Sequence, residues 1–302
     1  MDSVCANPGA KGYAHGAGGI GGAMRAATRR TLLSKAGAAA AAAYPLDGIS
    51  NIVGAYDFRR LFSSYTGNAA LVRRSSDDAE LAIGFDASGN FDVSAFGAHV
   101  GGGSGYVKTW YDQSETGNDV TQATAEKQPQ IILNAVNTDK TAARYSAHVL
   151  GCTFTSSPGA GNYTEFVVAM SNNVAAGFRA TAAFSGELLT LYMSAAAFYP
   201  YISGGYQTGQ TKSQGAWFTE SITRATTTSQ HYLDGVPAGG TKAHSQNLLT
   251  SFWIGGATAT AYPFDGDIAM VIVMGETIST ANHNTIGESV DSYYGISWTT
   301  VT

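Results

Sequence analysis

"VKTWYDQSETGNDVTQ" (residues 107–122) opens like a buried strand and closes in polar loop chemistry. The β-branched and aromatic residues from Val107 to Tyr111 favour extended chain. The Asp, Ser, Gly and Asn that follow favour a turn. Strand alternation puts Trp110 and Asp112 on one face and Tyr111 on the other. Two roles fit this pattern. One is an aromatic platform with polar neighbours that grips a sugar. The other is a buried corner, in which Trp110 or Tyr111 fills the core and Asp112 holds the next loop by accepting its backbone N–H groups. Asn118 and Asp119 suit that loop, and the corner is the preferred reading.

Working outward, the chain from about residue 50 repeats the same alternation of strand and turn. "EFVVAM", "LLTLYM", "WFTESITR", "SQHYLDG", "SFWIGG" and "IAMVIVM" are short β-prone runs punctuated by Gly, Asn, Asp, Ser and Pro. Many such strands without intervening helical repeats predict an all-β sandwich or barrel. "DIAMVIVM" is apolar throughout, which predicts a central strand. Ser279 can cap a helix over 279–294, with Ile286 and Val290 on one face. A second short helix is expected over 55–63, where Tyr56, Arg59, Arg60 and Ser63 follow helical spacing.

Only 13% of residues are charged, and the net charge is −5. Residues 1–50 hold five bases and two acids, or +3, which leaves −8 for the remainder. An acidic body is a poor partner for nucleic acid. No run is long and apolar enough to predict a membrane-spanning helix. Residues 1–24 are Gly-rich, and 25–43 are rich in helix formers until Pro45, Asp47 and Gly48. The expected division is an N-terminal Gly-rich and helical arm (1–49) and a sandwich (50–302). Arg29-Arg30 and the alanines that follow read either as a twin-arginine export signal or as a retained helical arm. Gly16, Gly18 and Gly21 form a G-x-G-x-x-G, but no strand precedes it, so no dinucleotide site is expected. Cys5 and Cys152 are the two cysteines, and their pairing is left open.

"AYDFRRLFSSYTGNAALVRRSSDDAELAIGF" (55–85) followed by "YVKTWYDQSETGNDVTQ" (106–122) resembles the N-terminal half of the arabinofuranosidase B type catalytic domain. The same pair of motifs occurs in bacteriophage and bacterial proteins with a concanavalin A-like (laminin G-like) sandwich. Glu115 and Thr116 depart from that pattern. "HYLDGVPAGG" resembles a hairpin of those sandwiches, with Asp234-Gly235 as a type I′ turn. The resemblance implies a concanavalin A-like antiparallel β-sandwich of jelly-roll type. It implies catalysis less well. The family's nucleophilic Glu ends a Cys-Cys-Phe-Asp-Tyr-Gly-Asn-Ala-Glu segment, and the corresponding region, about 163–190, has no such run.

Several constellations remain. Asp112, Glu165, Glu187, Glu220, Asp265 and Asp267 could supply the two carboxylates of a glycosidase, but spacing does not choose among them, and no catalytic residue is assigned. Arg73 and Arg74 are expected to pair with Asp77 or Asp78 and fix a loop. "FDGD" (264–267) is expected to be a tight turn before the last strand. The histidines show no zinc spacing, and no metal or cofactor is expected. Tyr199, Tyr201, Tyr206 and Trp217 lie among Gly, Ser and Gln and form the candidate carbohydrate-binding set. The preferred function is a bacteriophage virion structural or adhesion protein. It would be a homo-oligomer, bound to other virion proteins through the arm and touching a cell-surface glycan. The alternatives are a secreted carbohydrate-binding module and an arabinofuranosidase-type glycoside hydrolase.

Overall fold

The computed structural model describes residues 44–159, 161–172, 178–184, 188–194, 197–202, 205–206, 210–243, 249–256 and 263–302, with backbone alone between 178 and 206. Every element below belongs to one compact unit, Ala42–Thr302. The Gly-rich stretch and the helix expected over 25–43 lie outside the described residues.

The strands in chain order are β1 (Ile52–Asp57), β2 (Ala70–Arg74), β3 (Glu80–Ile83), β4 (Gly105–Trp110), β5 (Val120–Thr121), β6 (Gln130–Val136), β7 (Lys140–Ser146), β8 (Leu150–Thr153), β9 (Tyr163–Ser171) and β10 (Phe178–Phe184). They continue with β11 (Leu188–Ser194), β12 (Ala197–Ile202), β13 (Gly205–Tyr206), β14 (Gln210–Thr211), β15 (Trp217–Ala225), β16 (Thr228–Leu233), β17 (Val236–Ala243), β18 (Ser251–Ile254) and β19 (Asp265–Met274). Helix α1 is Val93–Val100 and α2 is Thr280–Tyr294. The all-β expectation holds, and the pairing is antiparallel.

One layer runs β17-β16-β15-β9-β19. Beside β19, β7 covers the first half and β1 the second. The other layer runs β3-β2-β4-β5-β8-β18-β10-β11-β12. Ile268, Val271 and Val273 of β19, with Tyr163, Val167 and Ala169 of β9, belong to the inner core. Ala269, Met270, Ile272 and Met274, with Phe166 and Val168, face an outer core shared with Ile286, Val290 and Tyr294 of α2. A strand covered on both faces has no solvated side, which is why "DIAMVIVM" is apolar from Ile268 onward. Each Val, Ile, Phe or Met side chain among them contributes about 1.5–3 kcal/mol by burial.

Helix α2 starts where expected, with Ser279 accepting a hydrogen bond from Asn282 N, and ends at Gly295 in the left-handed conformation. The helix expected over 55–63 does not form. Those residues finish β1 and run into an irregular segment. Tyr56 and Phe58, two apart, both enter the inner core, and that period-two burial overrides the helical spacing. The segment "FDGD" is not a turn either, since Asp265 and Asp267 already belong to β19. Asp267 is held by Arg144 through two bonds of 2.8 and 2.9 Å. Helix α1 was not anticipated; Asp92 caps it by accepting from Ala95 N. At the β16–β17 hairpin, Asp234 and Gly235 both take positive φ (52° and 81°), as a type I′ turn requires.

The corner at Asp112 is as read from the sequence. Trp110 is fully buried and stacks on Phe58 at 4.9 Å, so it offers no platform to a ligand. Asp112 Oδ1 accepts from Ala55 N and Ser114 N, both at 2.9 Å. Its Oδ2 accepts from the Thr116 hydroxyl at 2.8 Å. Gln113 takes Leu61 N on Oε1 and donates from Nε2 to the carbonyls of Asp57 and Arg59. The Gln113 side chain stands in for backbone bonds that the irregular segment 57–61 lacks, while Asp112 ties β1 to the loop that follows β4. Arg73 pairs with Asp78 and Arg74 with Asp77, which fixes the β2–β3 turn as expected.

Asp112→Ala is expected to lower the unfolding free energy by about 3 kcal/mol or more, because several buried N–H groups lose their acceptor together. An unchanged urea midpoint would show the corner to be dispensable. A second expectation concerns pH. His283 of α2 is buried between Phe166, Tyr232 and Trp298, with Nε2 2.8 Å from Ser221 Oγ. Burial lowers its pKa from 6.5 to about 4. The neutral form is the folded form, so its stabilisation is complete above pH 6.5 and is lost as pH falls towards 4. The loss is on the order of 3 kcal/mol. Urea melts of His283→Gln should show a flatter decline between pH 6.5 and 4 than the parent chain; parallel declines would disprove the linkage.

Candidate active site

Strands β9 and β15 pair with Tyr163 opposite Arg224, Glu165 opposite Ile222 and Val167 opposite Glu220. Paired residues share a face, and Tyr163, Val167, Phe218 and Ile222 belong to the inner core. Glu165, Glu220 and Arg224 therefore stand on the inner face as well. His231 of β16 joins them, opposite Ile222. Five polar side chains thus enter an otherwise apolar layer at the middle of the sandwich. Glu165 and Glu220 sit at a diagonal, a relation that places Cβ atoms roughly 7–8 Å apart.

The partners are specific. Tyr163 donates its hydroxyl to Glu165 Oε2 at 2.6 Å. His231 Nε2 lies 2.5 Å from Glu220 Oε1, with both side chains at 0% exposure. Arg224 Nε donates to the Gly161 carbonyl at 2.7 Å. Burial raises the Glu220 pKa above its ordinary value, and His231 opposes the rise. Burial likewise holds the Tyr163 phenol well above its usual value, and Glu165 adds to that. A carboxyl inclined to keep its proton suits a general acid, and a second carboxylate nearby suits a nucleophile or base. Glycosidases use such pairs at separations of about 5–5.5 Å or 6.5–9.5 Å. All five groups are closed off from solvent.

The candidate sugar-binding residues fall in two places. Tyr199 of β12 pairs with Tyr192 of β11, and Tyr201 of β12 pairs with Tyr206 of β13. Trp217 is elsewhere. It opens β15 opposite Met170 and packs against the outer core. Glu165 and Glu220 were among the candidate acids, but nothing selected them. The signal lay in "WFTESITR", where alternation puts Glu220 on the face of Phe218 and Ile222. An acid on an apolar face is the anomaly to look for.

The described residues thus form an antiparallel sandwich with two glutamates, Glu165 and Glu220, diagonal to each other on the inner face of one layer. The family model of the catalytic domain of alpha-L-arabinofuranosidase B matches residues 46–187. The chain is similar in fold to a GH54 α-L-arabinofuranosidase soaked with a cyclic sulfate inhibitor, with TM-score 0.61, 15% identity and coverage of 80% of this chain. It is similar also to an arabinofuranosidase complexed with arabinofuranosyl-α-1,2-xylobiose, with TM-score 0.64, 15% identity and coverage of 80%. The aligned part spans 63% of each of those enzymes. No curated protein sequence matches the chain.

These matches overturn the expectation of a virion structural or adhesion protein, with its tail and capsid associations. The model that fits is a glycosidase catalytic domain, and the similar structures are glycosidases. The physical source of the error is plain. The stretches 55–85 and 106–122 encode a buried corner and one turn held by two arginine–aspartate pairs, a scaffold that says nothing about assembly.

His231→Ala should cost about 3–5 kcal/mol by leaving the buried Glu220 carboxyl without its partner. Adding Glu220→Gln should recover part of that loss in a double-mutant cycle. Strictly additive effects would mean that the two groups do not interact.

Proposed function

We propose that the protein is an arabinofuranosidase-type glycoside hydrolase that cleaves α-L-arabinofuranosides. The observation that carries this reading is the match of residues 46–187 to the arabinofuranosidase B catalytic domain. A sandwich that aligns with GH54 enzymes over 80% of the chain supports it. In this reading Glu220, whose pKa burial raises, donates a proton to the departing oxygen. Glu165, oriented by the Tyr163 hydroxyl, acts on the anomeric carbon directly or through a water. His231 positions Glu220. Since both carboxylates are buried, the layer above them has to part for a sugar to enter.

Release of 4-nitrophenol from 4-nitrophenyl α-L-arabinofuranoside tests the proposal. Glu220→Gln and Glu165→Gln should each reduce the rate by about 100-fold or more. No release by the parent chain, or release by both variants at the parent's rate, would sink it. Complete burial of the pair, and the want of a Cys-Cys-Phe-Asp-Tyr-Gly-Asn-Ala-Glu run in 163–190, favour a second reading. In that reading the sandwich binds arabinose-bearing glycans without cleaving them, through strands β12 and β13, which carry Tyr199, Tyr201 and Tyr206. Retained binding of arabino-oligosaccharides with no turnover, lost on changing those tyrosines to Ala, would decide for it.

A further inference from the structure

The arginines around the N-terminal strands are held by carboxylates, with one exception. Arg59 lies 3.1 Å from Asp57, Arg73 and Arg74 each 2.6 Å from an aspartate, and Arg144 2.8 Å from Asp267. Arg60 has no ion-pair partner among the described residues. Its backbone is fixed, since Arg60 N donates to the Gly89 carbonyl at 2.7 Å. Its guanidinium lies over the Tyr44 ring, 4.4 Å from the centroid. Its Nε is buried and has no hydrogen-bond partner among the described residues. A buried guanidinium nitrogen left without an acceptor is unfavourable. A forked cation held over an aromatic ring is arranged for a planar anion.

The surroundings fit that purpose. Arg60 forms a wall common to two cavities. One, of about 130 Å³, is lined also by Arg59, Ser88, Asn90 and Tyr293 and contains no carboxylate. Arg59 lies over the Tyr293 ring at 4.4 Å, and Lys140 Nζ lies 4.6 Å from the same ring. Asp57 and Asp139 hold these two cations, which leaves the Arg60 charge to dominate the cavity. The other cavity, of about 240 Å³, is lined also by Tyr65, Asn68 and Asp86. Asp86 is engaged there, because its Oδ1 accepts from Ser88 N and Asn90 N at 2.9 Å. The smaller cavity suits an anionic head group. The larger one, with an amide, a phenol and a carboxylate, suits the hydroxyls of the ring that bears it.

From this arrangement we infer that Arg60 and the two cavities it divides form a subsite for an acidic sugar, a hexuronate whose carboxylate is taken by the Arg60 guanidinium. The inference rests on the carbohydrate reading above and names an acidic glycan as the class of ligand. The site is separate from Glu165 and Glu220 on the inner face.

Titration of the full chain with methyl β-D-glucuronide, methyl β-D-glucoside and sodium sulfate, read by calorimetry, tests it. The glucuronide should bind saturably and the glucoside should not. Arg60→Gln should weaken glucuronide binding by about tenfold or more, the loss of one charge-assisted fork. Ser88→Glu, an exposed change that sets an acid against the guanidinium, should do the same. Equal binding of the glucoside would show that the carboxylate is not read. Sulfate bound as tightly as the glucuronide would reduce the site to a plain anion hole. Unaltered affinity in both variants, or no binding of the glucuronide, would also overturn the inference. Release of 4-nitrophenol from the neutral arabinofuranoside should be unchanged in Arg60→Gln. Glucuronide binding that depends on Arg60 in a chain without hydrolytic activity would refute the hydrolase and leave this subsite standing; the reverse result would do the opposite.

Discussion

Strands β9 and β19 lie between two cores, and the rest of the fold is arranged around that fact. With Phe166, Val168, Met270 and Ile272 facing one core and Val167, Val271 and Val273 facing the other, neither strand has a wet side. Every polar group on them or beside them must find its partner inside the protein. On the outer face Ser221 meets His283. On the inner face Tyr163 meets Glu165, and His231 meets Glu220. Register fixes which pairs are possible. A slip of one residue between β9 and β15 would turn Glu220 and Arg224 into the outer core and Ser221 into the inner one.

The corner at Asp112 and Gln113 ties this centre to the other layer. Asp112 holds Ala55 at the middle of β1, and Gln113 holds the segment that leaves it. The two stretches with the clearest family likeness, 55–85 and 106–122, are therefore one structural unit split in sequence. Their strength as a signature comes from the bonding demands of an irregular backbone, which few side-chain sets satisfy. For the same reason they speak to fold and stay silent on chemistry. The virion reading failed by taking a scaffold signature together with a Gly-rich leader as a statement about assembly.

What was legible follows the same line. The continuous apolar run of β19, the Ser279 cap, the Asp234-Gly235 turn and the Arg73 and Arg74 pairs are local, and local rules found them. Residues 55–63 misled because Tyr56, Arg59, Arg60 and Ser63 happen to follow helical spacing. Only the burial of Tyr56 and Phe58, a consequence of β19 and Trp110 far away in sequence, shows the strand. "FDGD" misled because its acids and glycine suit a turn, whereas Arg144 on the neighbouring β7 makes an acid tolerable at Asp267 inside a strand. Glu165 and Glu220 could be named as acids from sequence. Their convergence depends on the β9–β15 register, and that is tertiary information.

A buried Glu–His pair invites the question of why it is there. Taking both groups out of water costs several kcal/mol each, and apolar residues of similar volume often leave a protein as stable or more so. Leu233 and Ile222, neighbours of the pair on the same face, show that the layer readily accepts aliphatic side chains. Stability is thus a weak reason for Glu220 and His231. Specificity of register is a better one, since an unpaired Glu220 in any shifted pairing would be severely penalised. Chemistry is a third, because the burial that makes the pair expensive also lifts the Glu220 pKa towards the range of a working acid. Register specificity and acid catalysis place opposite demands on the layer above: the first needs it shut at all times, the second needs it to open on a sugar. Access of solvent to Glu220 is therefore the property that separates a scaffold from an enzyme in this sandwich.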